Sequence, residues 1–185
     1  MKRALALIVF LACLSGHARA GVAGEAEEAL DRDDQARAFA LYGQAVTEAG
    51  KDPAARASAL FDRAEAYARY ARDSDAMMDY GEALTLSRDP GFKALVLTAR
   101  GDLFVQERRF QQAIDDYSQA LSIKPDLVGV RTARGQAHQR LKENDAAMAD
   151  FEAELRANPK YPKALRARAQ MLGQPDPTQI AEHPW

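Results

Sequence analysis

Residues 94–127 read ALVLTARGDLFVQERRFQQAIDDYSQALSIKPDL, and residues 128–161 read VGVRTARGQAHQRLKENDAAMADFEAELRANPKY. The two 34-residue segments follow each other without a gap and place similar residues at the same positions. Each has a glycine at its eighth position, an alanine twelve residues later, an aromatic residue four further on and a proline near its end. Such self-similarity at a fixed period predicts a repeat architecture.

A helical pattern recurs four times along the chain. Each copy has an alanine, an aromatic residue at +4 and an aliphatic residue at +8, and the first three copies also have an alanine at +7; the copies are separated by 38, 37 and 34 residues. This spacing places the residues on one face of a helix, and it predicts the second helices of four hairpins. The copies begin at Ala38, Ala76, Ala113 and Ala147.

A second stripe lies upstream of each of the last three copies and predicts the first helices of their hairpins. It has a small residue at its centre and usually an aromatic three residues later, as in Ala64 with Tyr67 and Gly101 with Phe104. We expect the small residue to let the paired helix approach closely. A last stripe around Ala169 has no second helix after it.

These positions resemble the tetratricopeptide repeat (TPR), a 34-residue helical hairpin. The resemblance implies an all-α, right-handed solenoid of antiparallel hairpins with a C-terminal capping helix. Two residues of the fourth hairpin depart from the repeat pattern: Glu154 replaces an alanine and His138 replaces an aromatic residue. Both make the packing of this hairpin less apolar. The expected divisions are 1–20 signal peptide, 21–56 truncated first hairpin, 57–93, 94–127 and 128–161 complete repeats, 162–173 capping helix and 174–185 extended tail.

The N-terminus has the pattern of a secretory signal peptide. A basic start, Met1–Arg3, precedes an apolar run that is too short to span a membrane, and Ala18-Arg19-Ala20 offers a cleavage site. Cleavage after Ala20 would make the protein periplasmic or secreted. It would also remove three basic residues and no acid, changing the formal net charge from −2 to −5.

The single cysteine, Cys13, lies inside this signal and leaves an alternative open. Leu11-Ala12-Cys13 partly matches the motif that receives a lipid anchor, although Phe10 stands where leucine is usual. The site at Ala20 is better formed. We therefore expect a mature chain without cysteine and without an anchor.

Nothing in the sequence indicates catalysis. There is no pair of His or Cys residues with metal-ligand spacing and no glycine-rich phosphate loop, so no metal or cofactor is expected. His138 occupies a packing position of the repeat. An enzyme such as a peptidoglycan hydrolase is the least favoured class, and the acidic balance gives no basis for nucleic-acid binding.

An arginine precedes the small residue once per unit, at Arg63, Arg100, Arg134 and Arg168. These arginines could form a ladder for an acidic partner. The preferred interpretation is that their aliphatic stems pack against the helices.

The resemblance also implies a binding surface, since the concave face of such repeats is lined by the first helices. The predicted ligand-binding residues are Phe61, Glu65, Arg69, Leu95, Thr98, Asp102, Val105, Gln136 and Arg140. Glu65 and Asp102 replace the asparagines that clamp a peptide's terminal carboxylate in one subfamily, so such a ligand is disfavoured.

We expect a module that binds an unidentified protein or peptide in the cell envelope. The alternative is a structural or assembly factor that self-associates or acts through its convex face. Trp185 ends the tail; it either occupies a groove or is solvated as part of a disordered segment, and disorder is the preferred interpretation.

Overall fold

The computed structural model describes residues 21–178, and every regular element in that range is an α-helix. The expected signal peptide, Cys13 and Trp185 lie outside the described residues. The expected all-α class is confirmed.

The described helices fall into two compact units that divide between Arg88 and Asp89. The first unit contains α1 (Val22–Asp31), α2 (Gln35–Glu48), α3 (Pro53–Arg69) and α4 (Asp73–Leu86). The second contains α5 (Pro90–Gln106), α6 (Phe110–Ile123), α7 (Val130–Arg140), α8 (Asn144–Ala157) and α9 (Pro162–Met171). In each unit, consecutive helices pair as α1–α2 and α3–α4, and as α5–α6 and α7–α8, with α9 packed on α7 and α8.

Two prolines that lie between the predicted hairpins are the first residues of helices. Pro53 begins α3 and Pro90 begins α5, and the side chains of Asp52 and Asp89 accept hydrogen bonds from the second residue of each helix, at 2.9 and 2.8 Å. Proline is well suited to this position because its missing N–H would have no helical partner there. This capping extends both helices four residues upstream of the repeat boundaries expected at 57 and 94.

The turn inside every hairpin holds a residue other than glycine in the left-handed conformation. These residues have φ between 59° and 65° and recur at the sequence spacing of the repeat. They are Asp33, Ala71, Arg108 and Lys142. Glycine is normally favoured at such a helix end, since a Cβ atom makes this conformation costly.

The predicted close approach of the two helices at the small residue is confirmed. A Cβ atom added to Gly101 would lie 2.7 Å from the ring of Tyr117, and one added to Gly135 would lie 2.7 Å from the ring of Phe151. Both rings are buried, at 1% and 0% exposure. Each glycine therefore leaves the space that an aromatic residue of the second helix fills.

Candidate functional site

An arginine and an aspartate link the two helices of three hairpins. The guanidinium group of Arg100 donates two hydrogen bonds to the Asp116 carboxylate, at 2.7 and 2.8 Å. The same bidentate pair forms in the other two hairpins, always 16 residues apart. Those pairs are Arg63 with Asp79 and Arg134 with Asp150.

For three of the four arginines, these ion pairs contradict the interpretation as a ladder for an acidic partner. The aspartates are almost completely buried, and Arg63, Arg100 and Arg134 are each already bonded to one of them, whereas Arg168 has no such pair among the described residues. The preferred interpretation, packing of the arginine stems, omitted this carboxylate. The signal was present in the sequence, because an aspartate directly precedes the aromatic residue of each of these second helices, as in Asp116-Tyr117.

A tyrosine and an acid form a second link between the helices. The Tyr117 hydroxyl donates to Asp102 at 2.6 Å, the Tyr42 hydroxyl donates to Glu27 at 2.7 Å, and the Tyr80 hydroxyl donates to Glu65. Burial and the neighbouring Asp102 carboxylate raise the pKa of Tyr117 far above its ordinary value. Glu65 and Asp102 therefore help to join helices, a role that the sequence did not indicate.

In the first unit, only part of the predicted ligand-binding set is accessible. Glu65 and Arg69 are exposed on α3, and Arg69 lies 3.4 Å from the carboxylate of Glu27 on α1. Phe61 is only 8% exposed, and its ring packs 6.0 Å from that of Tyr80. The prediction that Phe61 offers an accessible apolar contact is therefore wrong, because the ring fills the space between the paired helices.

In the second unit, the predicted residues separate into two groups. Leu95, Thr98 and Asp102 are half-buried, and the Thr98 hydroxyl donates to the Ala94 carbonyl of its own helix at 2.9 Å. Val105 on α5 and Gln136 and Arg140 on α7 instead line one concavity, together with Gln139 and Gln170.

This concavity, the amide groove, has a volume of about 460 Å³. A smaller hollow continues from it along α9 and shares its three glutamines, Gln136, Gln139 and Gln170. The residues that line the two parts are Val105, Gln136, Gln139, Arg140, Lys163, Arg166, Ala167 and Gln170. All of them belong to α5, α7 and α9, which are the first helices of their hairpins and the capping helix.

The α9 residues of the groove are absent from the predicted set. A further unit in the same register would begin at Pro162. Counted from there, Arg166 and Gln170 are the fifth and ninth residues, the positions that the predicted binding residues Phe61 and Glu65 hold in the repeat that begins at 57. The repeat register extended into the capping helix would therefore have identified them.

His138 takes part in a polar contact at the end of its helix. Its Nδ1 atom lies 2.6 Å from a carboxylate oxygen of Glu143, five residues later. At the same separation in the neighbouring hairpin, the guanidinium group of Arg109 stacks 4.5 Å from the ring centre of Phe104. A histidine–carboxylate pair thus replaces a cation–π contact, which accounts for histidine at an aromatic position.

Across residues 21–178, no group of three or more His, Cys, Asp or Glu side chains could hold a metal ion. Within the same range, none of the helices combines the length and the apolar character that a membrane crossing needs.

Comparison with known proteins identifies the fold. A family model described as "TPR repeat" matches residues 101–142. None of the curated proteins compared with the chain matches it.

Many solved structures are similar. One is MamA, with 17% identity, 80% of this chain and 82% of that chain covered, and a TM-score of 0.68. Another is YrrB, described as a TPR protein with an unusual peptide-binding site, with 16% identity, coverage of 82% and 75%, and a TM-score of 0.64. A third is the second TPR domain of human RPAP3 in complex with an HSP70 peptide, with 21% identity, coverage of 65% and 98%, and a TM-score of 0.59.

The matched segment contains both residues of the Gly101–Tyr117 contact. It also contains Arg134, which pairs with Asp150 in the same way as Arg100 pairs with Asp116. The resemblance inferred from the sequence is thereby confirmed: the chain carries a tetratricopeptide repeat and has the fold of tetratricopeptide-repeat proteins.

Proposed function

We propose that this protein is a non-enzymatic binding module of the cell envelope that holds a peptide or protein segment against its first helices. One observation carries the proposal. The first helices of the second unit and the capping helix line a polar groove of about 460 Å³. Repeat arrays use extended concave surfaces of this kind to bind their partners.

The contacts within the hairpins support the proposal, because the residues that join paired helices differ from those that line the groove. The Arg–Asp and Tyr–acid pairs satisfy the buried polar groups between paired helices, so they stabilise the hairpins. Groove residues such as Gln136 and Arg140 are exposed and have no such role. YrrB and RPAP3, whose structures are similar, are described as peptide-binding and peptide-bound proteins.

Site-specific photo-cross-linking tests where the partner binds. A cross-linking residue at Gln139 in the groove is compared with one at Met78, which is 74% exposed on the second helix α4. In cells that naturally contain the protein, we expect an adduct from position 139 and none from position 78.

The exposure of Met78 favours one alternative, a structural or assembly role through the second helices. Adducts from position 78 alone would support that role and contradict the proposal. Light scattering of the purified protein then reports whether the contact is self-association.

The envelope location is proposed from the signal-peptide pattern of residues 1–20. Intact mass spectrometry of the protein from the envelope fraction should give a chain that begins at Gly21. A diacylated chain that begins at Cys13 would instead place the protein at a membrane surface.

A further inference from the structure

We propose that α9 carries a second binding surface, which takes an amphipathic helix of a partner protein and pairs with it as the first helix of a hairpin pairs with the second. The partner helix carries a carboxylate next to an aromatic residue. This inference goes beyond the proposed function, because it concerns the side of α9 that is turned away from the amide groove.

The two sides of α9 are distinct. Its groove-lining residues include Arg166 and Gln170. Arg168 lies two residues after Arg166, which places it about 200° further around the helix. Leu165 and Leu172 lie on the same side as Arg168. These three residues form the unpaired face of α9.

The unpaired face has the composition of a helix interface. Leu165 occupies the fourth position of the repeat register, as does the buried Leu97 of α5. Leu172 occupies the eleventh position, as does the buried Phe104, yet Leu172 is 52% exposed. The outer face at the end of a repeat array is normally polar, which keeps the array soluble. An apolar face at this place therefore indicates that a further element covers it.

Arg168 supplies a second, independent observation. In each of the three Arg–Asp pairs, the Nε atom of the arginine donates to the aspartate of the second helix, at 2.7, 2.7 and 2.9 Å. Arg168 occupies the same register position, and its Nε atom is buried without a hydrogen-bond partner among the described residues. Because an unsatisfied buried donor is costly, the site favours a ligand that brings an acceptor. In the other hairpins that acceptor is a carboxylate.

The sequence after α9 does not supply this carboxylate in the same way. The aspartate of each pair lies 16 residues after its arginine, and the residue 16 positions after Arg168 is Pro184. A proline there has no acceptor side chain, and it disfavours the interior of a helix. Residues 174–178, which are the described part of this segment, are not helical. These observations favour a helix that comes from another protein.

The hairpins also define what a complementary helix carries. In α4, α6 and α8 the aspartate directly precedes an aromatic residue, and the ring of Tyr117 on α6 lies against the eighth residue of its partner helix. The eighth residue in α9 is Ala169. An acid followed by an aromatic residue would thus place a carboxylate at Arg168 and a ring at Ala169. Apolar residues of the same helix would cover the two leucines, which a small anion would leave exposed.

A helical peptide with the sequence of residues 110–123 tests the inference. It is the second helix of one of this protein's own hairpins and carries Asp116 and Tyr117. A covalent link between the side chains at positions 111 and 115, both exposed on α6, holds it helical, because a helix of 14 residues is marginal in water. We expect this peptide to bind the full chain, as measured by fluorescence anisotropy.

Asp116→Ala or Tyr117→Ala in the peptide should each raise Kd about 10-fold, through loss of a charge-assisted contact or of a buried ring. Arg168→Gln in the protein should raise Kd by about the same factor. Combined with Asp116→Ala in the peptide, it should raise Kd little further, because both changes remove one contact.

Lys163→Gln is the matched control, because it removes a positive charge from the side of α9 that lines the amide groove. Its Kd should equal that of the parent. Absence of peptide binding, or binding that is independent of Arg168, would overturn the inference. Equal losses from Lys163→Gln and Arg168→Gln would also overturn it, since they would indicate attraction by charge alone.

Two further measurements exclude other occupants of the unpaired face. If Arg168→Gln lowers the urea unfolding midpoint of the free chain as far as Arg100→Gln does, Arg168 is already paired within the chain and the inference is wrong. Self-association that Arg168→Gln abolishes, measured by light scattering, would assign the face to a second copy and overturn the assignment to a partner helix. The proposed function is tested separately, by cross-linking from position 139 in the groove.

Discussion

Arg100 on α5 and Asp116 on α6 form a bidentate ion pair that joins the two helices of one hairpin. Asp116 is 4% exposed at its side chain, whereas Arg100 keeps 23% of its side chain accessible. If the pair is broken, Asp116 is therefore left as a buried charge without a partner, whereas the guanidinium group of Arg100 can still be hydrated.

We expect Arg100→Met to destabilise the protein by about 2–4 kcal/mol, because it leaves a buried carboxylate without a cation. Asp116→Asn should cost less, since the amide oxygen still accepts one of the two guanidinium hydrogen bonds and Arg100 can reach water. Urea unfolding midpoints measure both effects. Arg156→Met, at a side chain that is 72% exposed, is the control and should change little. Equal costs at positions 100 and 116 would contradict this account.

Gly101 and Gly81 should respond in opposite directions to the same substitution. Gly101→Ala brings a Cβ atom within 2.7 Å of the buried Tyr117 ring, so we expect destabilisation of about 1–3 kcal/mol. Gly101→Leu should cost more. Gly81, in the interior of α4, has nothing within 4 Å of an added Cβ atom. Gly81→Ala should stabilise by up to about 1 kcal/mol through helix propensity. Thermal unfolding of the two alanine variants gives the comparison.

Ala71→Gly should stabilise the first unit. Ala71 has φ 59°, and glycine removes the cost of a Cβ atom there, which exceeds the entropy that glycine loses on folding. We expect a gain of about 0.5–1 kcal/mol in urea unfolding. The same change at Ala40, an exposed residue inside α2, should instead destabilise by about 1 kcal/mol. A loss of stability at both positions would show that the turn is not strained.

Glu65 should make stability depend on pH in a direction that can be tested. Although part of the Glu65 side chain is exposed, the packing around its carboxyl group desolvates it and raises its pKa, as does the neighbouring Glu27, against the opposing effects of the Tyr80 hydrogen bond and of Arg69. The folded chain therefore takes up this proton at a higher pH than the unfolded chain. Its contribution to stability increases as pH falls through the folded pKa, and it is complete below the unfolded pKa.

Glu65→Gln removes the charge and keeps an acceptor for Tyr80. The variant should be slightly more stable than the parent at neutral pH, and this advantage should shrink as the pH is lowered through the same range. Glu25→Gln, at an exposed residue of α1, should keep the pH dependence of the parent. An advantage for Glu65→Gln that grows on acidification would contradict the raised pKa.

The fold was predictable because its determinants recur. Gly101 and Tyr117 are separated by 16 residues, as are Gly135 and Phe151, so the repeat itself identified the helix contact. It was harder to predict which residues are accessible on the binding face, because a residue's position in the repeat does not by itself determine its exposure. Phe61 occupies a register position of the concave face, yet its large ring turns towards Tyr80. Residue size and the identity of the facing side chain decided this, and neither follows from register.

The polar pairs are also distributed unevenly among the hairpins, and we expect this distribution to determine which helices unfold locally first. Hairpins α3–α4 and α5–α6 carry both kinds of pair. In α1–α2 the Arg and Asp positions hold Glu25 and Leu41, and on α9 the buried Nε atom of Arg168 has no acceptor among the described residues. Repeat proteins exchange amide hydrogens through local fraying of their weakest units. Deuterium should therefore enter the amides of α1, α2 and α9 well before those of α3 to α8. The helices at each end of the described chain would then unfold locally, as separate units, at a lower free energy than the hairpins between them.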